Sequence, residues 1–155
     1  QTEQICQAAV QSNPQAIKYV KEQTEGLCYM ALRKDGMAIR DIRKPTPAMY
    51  LMAIENNPMS IQFMDHPSKE LCEHAVKLRP YAIQHIQHAS EDLWSMAIQK
   101  KPYVIQFLRE YSETLFKLAL KANPLSLKHI KKDFRNAELC NLAQQPEIEM
   151  KKYMH

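Results

Sequence analysis

Four cysteines and six histidines are the side chains of this 155-residue sequence best suited to holding a metal or closing a disulfide. Cys6, Cys28, Cys72 and Cys140 all occupy one position of a 22-residue recurrence, a position filled elsewhere by Tyr50, Trp94 and Phe116. A column shared with large aromatics is a core column. Equivalent atoms of helices packed side by side lie about 9–10 Å apart, beyond disulfide reach and zinc geometry. The cysteines are therefore expected to be buried and reduced, as suits a reducing, cytosol-like compartment. His85 and His88 stand three residues apart, a spacing that places two ligands on one helical face, and His66 precedes His88 by one period. Yet His85 shares its column with Tyr19, Phe63, Phe107 and His129, an amphipathic layer at the core edge, and His66 and His88 are expected on the solvent side. Neither a metal nor any other cofactor is expected. Serines and threonines are mostly placed as helix caps, and carboxylates are scattered without a nucleophile-and-base pair, so the chain is read as non-enzymatic.

Two sets of residues are candidates for binding. The first is the column Gln15, Met37, Met59, Tyr81, Tyr103 and Leu125, from which Met37, Met59, Tyr81, Tyr103 and Leu125 form an apolar and aromatic line along one edge. Such a line is either a stripe for another protein or filling for the groove between neighbouring units. Solvent exposure of Tyr81 and Tyr103 decides between the two. The second set is Lys128, Lys131, Lys132, Arg135, Lys151 and Lys152. The net charge of +4 arises wholly in the second half, where residues 79–155 hold twelve Lys/Arg against eight Asp/Glu. A nucleic-acid surface is one reading of that patch. Interleaved Asp133, Glu138, Glu147 and Glu149 favour an ordinary solvated end.

The elements that must position these residues are written in the recurrence. Thr2, Thr24, Thr46, Ser68, Ser90 and Ser112 are 22 residues apart without an insertion. Counting from each, an alanine stands at offset 7 (Ala9 to Ala119), a proline or Gly36 at offset 12, and an isoleucine or leucine at offset 15 (Ile17 to Leu127). The Thr or Ser is an N-cap, often followed by a glutamate that the helix dipole favours. Apolar residues at offsets 3, 4, 7 and 8 then make one face of an α-helix. The proline ends that helix and opens a second one at its first position. Asn13, Asn57 and Asn123 before it are good caps, whereas Arg79 and Lys101 are not. The composition, nine prolines but two glycines, is thereby explained, and it excludes glycine-built phosphate loops.

Helices of about eight or nine residues are marginal alone, so stacking must bury them together. The fold expected is all-α, an α-solenoid of about six to seven 22-residue helix-turn-helix repeats. It forms a single repeat domain over 1–155, with units starting near 2, 24, 46, 68, 90 and 112. A degenerate capping unit from Asn136 carries Leu139, Cys140 and Ala143, turns polar at Gln144, and is expected to be disrupted by Pro146. The strict alanine column marks the closest approach of neighbouring backbones. With Ile5 and Cys6 starting almost at once, the array is expected to extend upstream of Gln1. No apolar run approaches the length of a membrane span, and no charged-then-apolar leader is visible.

The motif T-E-x-I-C-x-x-A-V-x-x-N-P-x-A-I-x-Y-V over residues 2–20 resembles the short helical repeats of the family known as domain of unknown function 4116. Those repeats occur in tandem in bacterial, bacteriophage and large-virus proteins, and the resemblance extends over about residues 2–131. It implies a repeat scaffold and a source class, with no catalytic residues to transfer. Asp35-Gly36 in place of Asn-Pro, and Tyr50 in place of Cys, are departures that suggest a local kink near Gly36. The expected role is a cytoplasmic, non-enzymatic protein-interaction scaffold, a viral or bacterial factor binding a host or defence protein. The alternative is a nucleic-acid-binding module using the basic C-terminal half.

Overall fold

A computed structural model describes residues 2–152, with the side chains of 145–152 left out. Among the described residues the chain is all-α, a tandem array of helical repeats without a strand. Each repeat pairs a ten-residue α-helix with a six-residue 3-10 helix. They are α1 Glu3–Ser12 with η1 Pro14–Tyr19, α2 Glu25–Lys34 with η2 Gly36–Asp41, and α3 Pro47–Asn56 with η3 Pro58–Phe63. There follow α4 Lys69–Leu78 with η4 Pro80–His85, α5 Glu91–Lys100 with η5 Pro102–Phe107, and α6 Glu113–Ala122 with η6 Pro124–His129. A short η7, Lys132–Phe134, leads to α7, Ala137–Lys152.

The caps follow the sequence closely. Thr2, Thr46, Ser68, Ser90 and Ser112 accept the N–H three residues ahead at 3.3–3.4 Å, whereas the Thr24 hydroxyl makes no such bond. One residue then closes the α-helix and opens the 3-10 helix. Asn13, for example, donates its N–H to the Ala9 carbonyl at 2.8 Å while its side chain accepts from Gln15 N at 3.0 Å. Asp35, Asn57 and Asn123 do the same, but Arg79 and Lys101 make no side-chain cap.

The second helix is shorter and tighter than the α-helix the apolar spacing suggests. Offsets 15 and 18 are three apart, and in a 3-10 helix such side chains eclipse one another. The N–H of each offset-18 residue reaches back three residues, as from Val20 to Ile17 at 3.1 Å and from Leu108 to Ile105 at 3.1 Å. One such pair of positions satisfies either helix type, so periodicity alone does not separate them.

The chain divides into two compact units, Gln1–Ile86 and Gln87–His155. In the first, α1 to α4 pack in order, η1 to η4 pack in order, and η1, η2 and η3 each lie against the next α-helix. In the second, α5, α6 and α7 stack likewise, with η5 on α6 and η6 on α7. The core is the sum of the columns: Val10, Leu32, Ile54, Val76, Ile98 and Leu120 at offset 8, and Ile17, Ile39, Ile61, Ile83 and Ile105 at offset 15. From Ala31 onward the alanine column is fully buried. Ala9, in the first repeat, is exposed, and Ile5 beside it is 64% exposed where Leu27 and Met49 at the same offset are buried.

Gly36, at offset 12 where the other repeats carry proline, lies against the alanine column of the next α-helix. A Cβ added there would sit 2.3 Å from the Ala53 carbonyl oxygen on α3. No kink occurs at Gly36, because η2 has the same length and caps as its neighbours and no glycine has positive φ. The glycine is there for close approach. Asn56 fixes that approach, accepting from Gly36 N at 2.8 Å and donating to the Arg33 carbonyl at 2.9 Å. Other side chains staple the joints. Gln23 Nε2 donates to the Ile17 and Asp41 carbonyls, both at 2.9 Å, and Arg43 donates to the Lys21 and Val20 carbonyls at 2.7 and 2.8 Å.

The two-residue slip before Asn136 has a packing cause. Phe134 stands where the next Ser or Thr cap is due, and its ring lies 5.8 Å from Phe116 and 5.9 Å from Tyr111. Asn136 then caps α7, accepting from Leu139 N at 2.9 Å. Contrary to expectation, α7 runs on through Pro146. A proline forfeits one backbone bond and can kink a helix without ending it.

Candidate functional site

The candidate cysteines are core residues of one column: Cys6, Cys28 and Cys72 are buried and Cys140 half-buried, and none is in a disulfide. Burial pushes the Cys28 and Cys72 thiols up from their ordinary range, with Glu25 adding to the effect at Cys28. Each thiol faces the carbonyl that precedes its repeat's cap, Cys28 Sγ to Gln23 O at 4.0 Å and Cys72 Sγ to Pro67 O at 3.8 Å. Protonated, partnered thiols are poor nucleophiles and poor ligands. His66 and His88 are exposed, and His85 is half-buried, its imidazole pulled below the usual range by burial. No three His, Cys, Asp or Glu side chains converge as a metal group among the described residues.

The apolar column is carried by the first turn of successive 3-10 helices. In the first unit Met37, Met59 and Tyr81 are all half-buried, and their helices η2, η3 and η4 touch in order. The main chain is held in place at Met37 and Met59 by the Asp35 and Asn57 caps, whereas Arg79 makes no such cap before Tyr81. In the second unit Tyr103 is half-buried and fills the groove to the next repeat. Its hydroxyl accepts from Asn123 Nδ2 at 2.9 Å, and its ring lies 4.8 Å from that of His129. Leu125, by contrast, is 63% exposed.

Of the basic residues whose side chains are described, Arg135 is committed to the fold and Lys128, Lys131 and Lys132 are exposed. Arg135 is half-buried, and its guanidinium donates to the Ile130 and Lys128 carbonyls at 2.9 and 3.1 Å, closing the end of η6. The Lys128 ammonium lies over the Tyr103 ring and that of Lys131 over Phe134. Lys132 is exposed, while Lys151 and Lys152 lie outside the residues whose side chains are described. Lys117, missed as a feature of the sequence, binds Glu113 and Glu138 at 2.6 Å each. Hydrogen bonds to the two carboxylates raise its pKa, and they join α6 to α7.

Comparison with protein-family models, curated protein sequences and solved structures found no match to this chain. Its own geometry is therefore the guide to function. No helix among the described residues is long and apolar enough to cross a membrane.

One surface was not singled out by the sequence reading. In the first unit, two clefts flank α2. One, of about 470 Å³, is lined by Gln11, Gly26, Tyr29, Met30, Arg33 and Lys34. The other, of about 330 Å³, is lined by Tyr29, Arg33, Ala48, Leu51, Met52 and Glu55. Tyr29 and Arg33, one helical turn apart, line both clefts and form the ridge between them. The signal was present at offsets 2 and 5, which are polar in the other four repeats but read Gly26 and Tyr29, then Ala48 and Leu51, in the second and third.

Proposed function

We propose that this chain is a non-enzymatic protein-interaction scaffold that works in a cytosol and holds another protein on its repeated surface. The observation that carries the reading is the ladder Met37, Met59 and Tyr81. It sets one large, partly exposed apolar side chain on each of three touching 3-10 helices. Methionine and tyrosine suit such contacts, combining large apolar area with adaptable or polar ends. Leu125 offers a further exposed anchor in the second unit. The resemblance of the 2–20 motif to bacterial and viral helical repeats supports a viral or bacterial factor with a host or defence protein as its partner.

The test is recovery of partners from the native host cell with the wild type and a Met37→Glu/Met59→Glu/Tyr81→Glu variant. Loss of a specific partner in the variant, with its circular dichroism unchanged, is expected. Equal recovery by both proteins removes the ladder as the binding surface.

A further inference from the structure

Gly26, the second residue of α2, is a glycine that the chain itself does not require. Its φ is not positive, and a Cβ placed on it would meet nothing within 4 Å. Glycine is a poorer helix former than alanine, and no contact within the fold calls for its missing side chain at this position. The contrast with Gly36, whose Cβ would strike backbone, is complete. A bare stretch of helix at the mouth of a cleft leaves room for a group from outside the chain to approach closely.

The neighbouring residues say what that is. α3, Pro47–Asn56, is apolar nearly all round, with Glu55 and Asn56 as its polar end. A helix of that kind is normally buried on every side, yet Leu51 is 41% exposed. The cleft between α1 and α2 carries two cations, Arg33 and Lys34, and no carboxylate, although the Lys34 ammonium donates to the Gln11 carbonyl. Arg33 is exposed on the ridge, and its guanidinium has no partner among the described residues. In the second cleft Glu55 is the sole carboxylate.

We infer that this face of α2 and α3 docks an acidic amphipathic α-helix of another protein. Gly26 to Arg33 spans about 10 Å along α2, roughly two helical turns. A partner helix laid along the ridge places apolar side chains at i, i+4 and i+7 into the clefts on either side. A carboxylate between them meets Arg33, where a bidentate pair is available, and the bare Gly26 backbone lets the partner's helix come close. This deepens the interaction-scaffold reading, on which it rests, by naming a different surface and the chemistry it takes.

The experiment uses fluorescence anisotropy with a labelled helical peptide carrying leucines at that spacing and flanking glutamates. Its controls are the same peptide with lysines for glutamates, and anionic phospholipid vesicles. The wild type is expected to bind the glutamate peptide at least tenfold more tightly than the lysine one. Gly26→Leu and Arg33→Glu should each weaken binding at least tenfold, with the melting temperature of Gly26→Leu not lowered. The Met37→Glu/Met59→Glu/Tyr81→Glu variant should bind the peptide as the wild type does. Equal binding of the two peptides, unchanged binding by Gly26→Leu, or binding of vesicles alone overturns the inference. If it fails while partner recovery still depends on the Met37–Tyr81 ladder, the scaffold reading stands and this surface is discarded.

Discussion

Replacing each glycine by alanine is the sharpest test of the close-packed joint between η2 and α3. At position 36 the new Cβ falls 2.3 Å from the Ala53 carbonyl oxygen and 3.0 Å from Asn57 N. The closest favourable C–H···O contacts have C···O distances of about 3.3–3.6 Å, so α3 must retreat by about 1 Å. Overpacking of that kind costs about 1–3 kcal/mol. The retreat also stretches the 2.8 Å bond from Gly36 N to Asn56, whose net worth is about 0.5–1.5 kcal/mol. Against this, alanine restricts the unfolded chain and returns about 0.4–1 kcal/mol. Gly36→Ala should therefore lose about 1–3 kcal/mol, because steric and hydrogen-bond losses exceed the entropic gain. Gly26→Ala, with open space around its Cβ, keeps only the gain and should be stabilised by about 0.4–1 kcal/mol. Equilibrium urea unfolding followed by far-ultraviolet circular dichroism reads both. A Gly36→Ala midpoint at or above that of the wild type, with unchanged m-value, refutes the close-approach account.

Three further outcomes follow from the same packing. Ala75 is fully buried in the alanine column, so Ala75→Leu should cost about 1–3 kcal/mol, and an unchanged melting temperature would remove the tight-contact reading. The Ser60 and Ser126 hydroxyls are buried without hydrogen-bond partners at offset 14, where Ala38 and Ala82 stand in other repeats. Ser60→Ala and Ser126→Ala should each stabilise by about 1 kcal/mol, with destabilisation in thermal melts as the contrary result. Burial depresses the His85 imidazole in the folded state, so the unfolded chain takes up its proton first as pH falls. Stability should thus decline on acidification through the ordinary histidine range, from its unfolded pKa down to its lowered folded one. His85→Phe, matching Phe63 and Phe107 in its column, should flatten that part of the profile, and an identical slope in the variant counts against it.

Much of this fold is legible as text because a tandem repeat writes each structural decision six times. The Thr/Ser caps, the alanine column and the Asn caps before proline are local hydrogen-bonding and steric rules, and they hold at nearly every site. The C-terminal closure was less legible. Phe134 reads as an interruption of the period, and only its contact with Phe116 and Tyr111 gives it a purpose. Arg135 likewise reads as surface charge until its guanidinium is seen on two carbonyls.

By itself the sequence determined which columns face inward, where the helices of the six repeats begin, and that the cysteines belong to a core column. These are properties of one repeat and its periodicity. Tertiary structure alone decided that the second helix is 3-10, that Tyr103 is bound into a groove while Leu125 is open, and that the two glycines differ. Gly36 lies against the backbone of α3 and Gly26 against nothing. The reason is physical. A helical period fixes the direction in which a side chain points, but the distance to its neighbour depends on side-chain volumes contributed by two repeats at once.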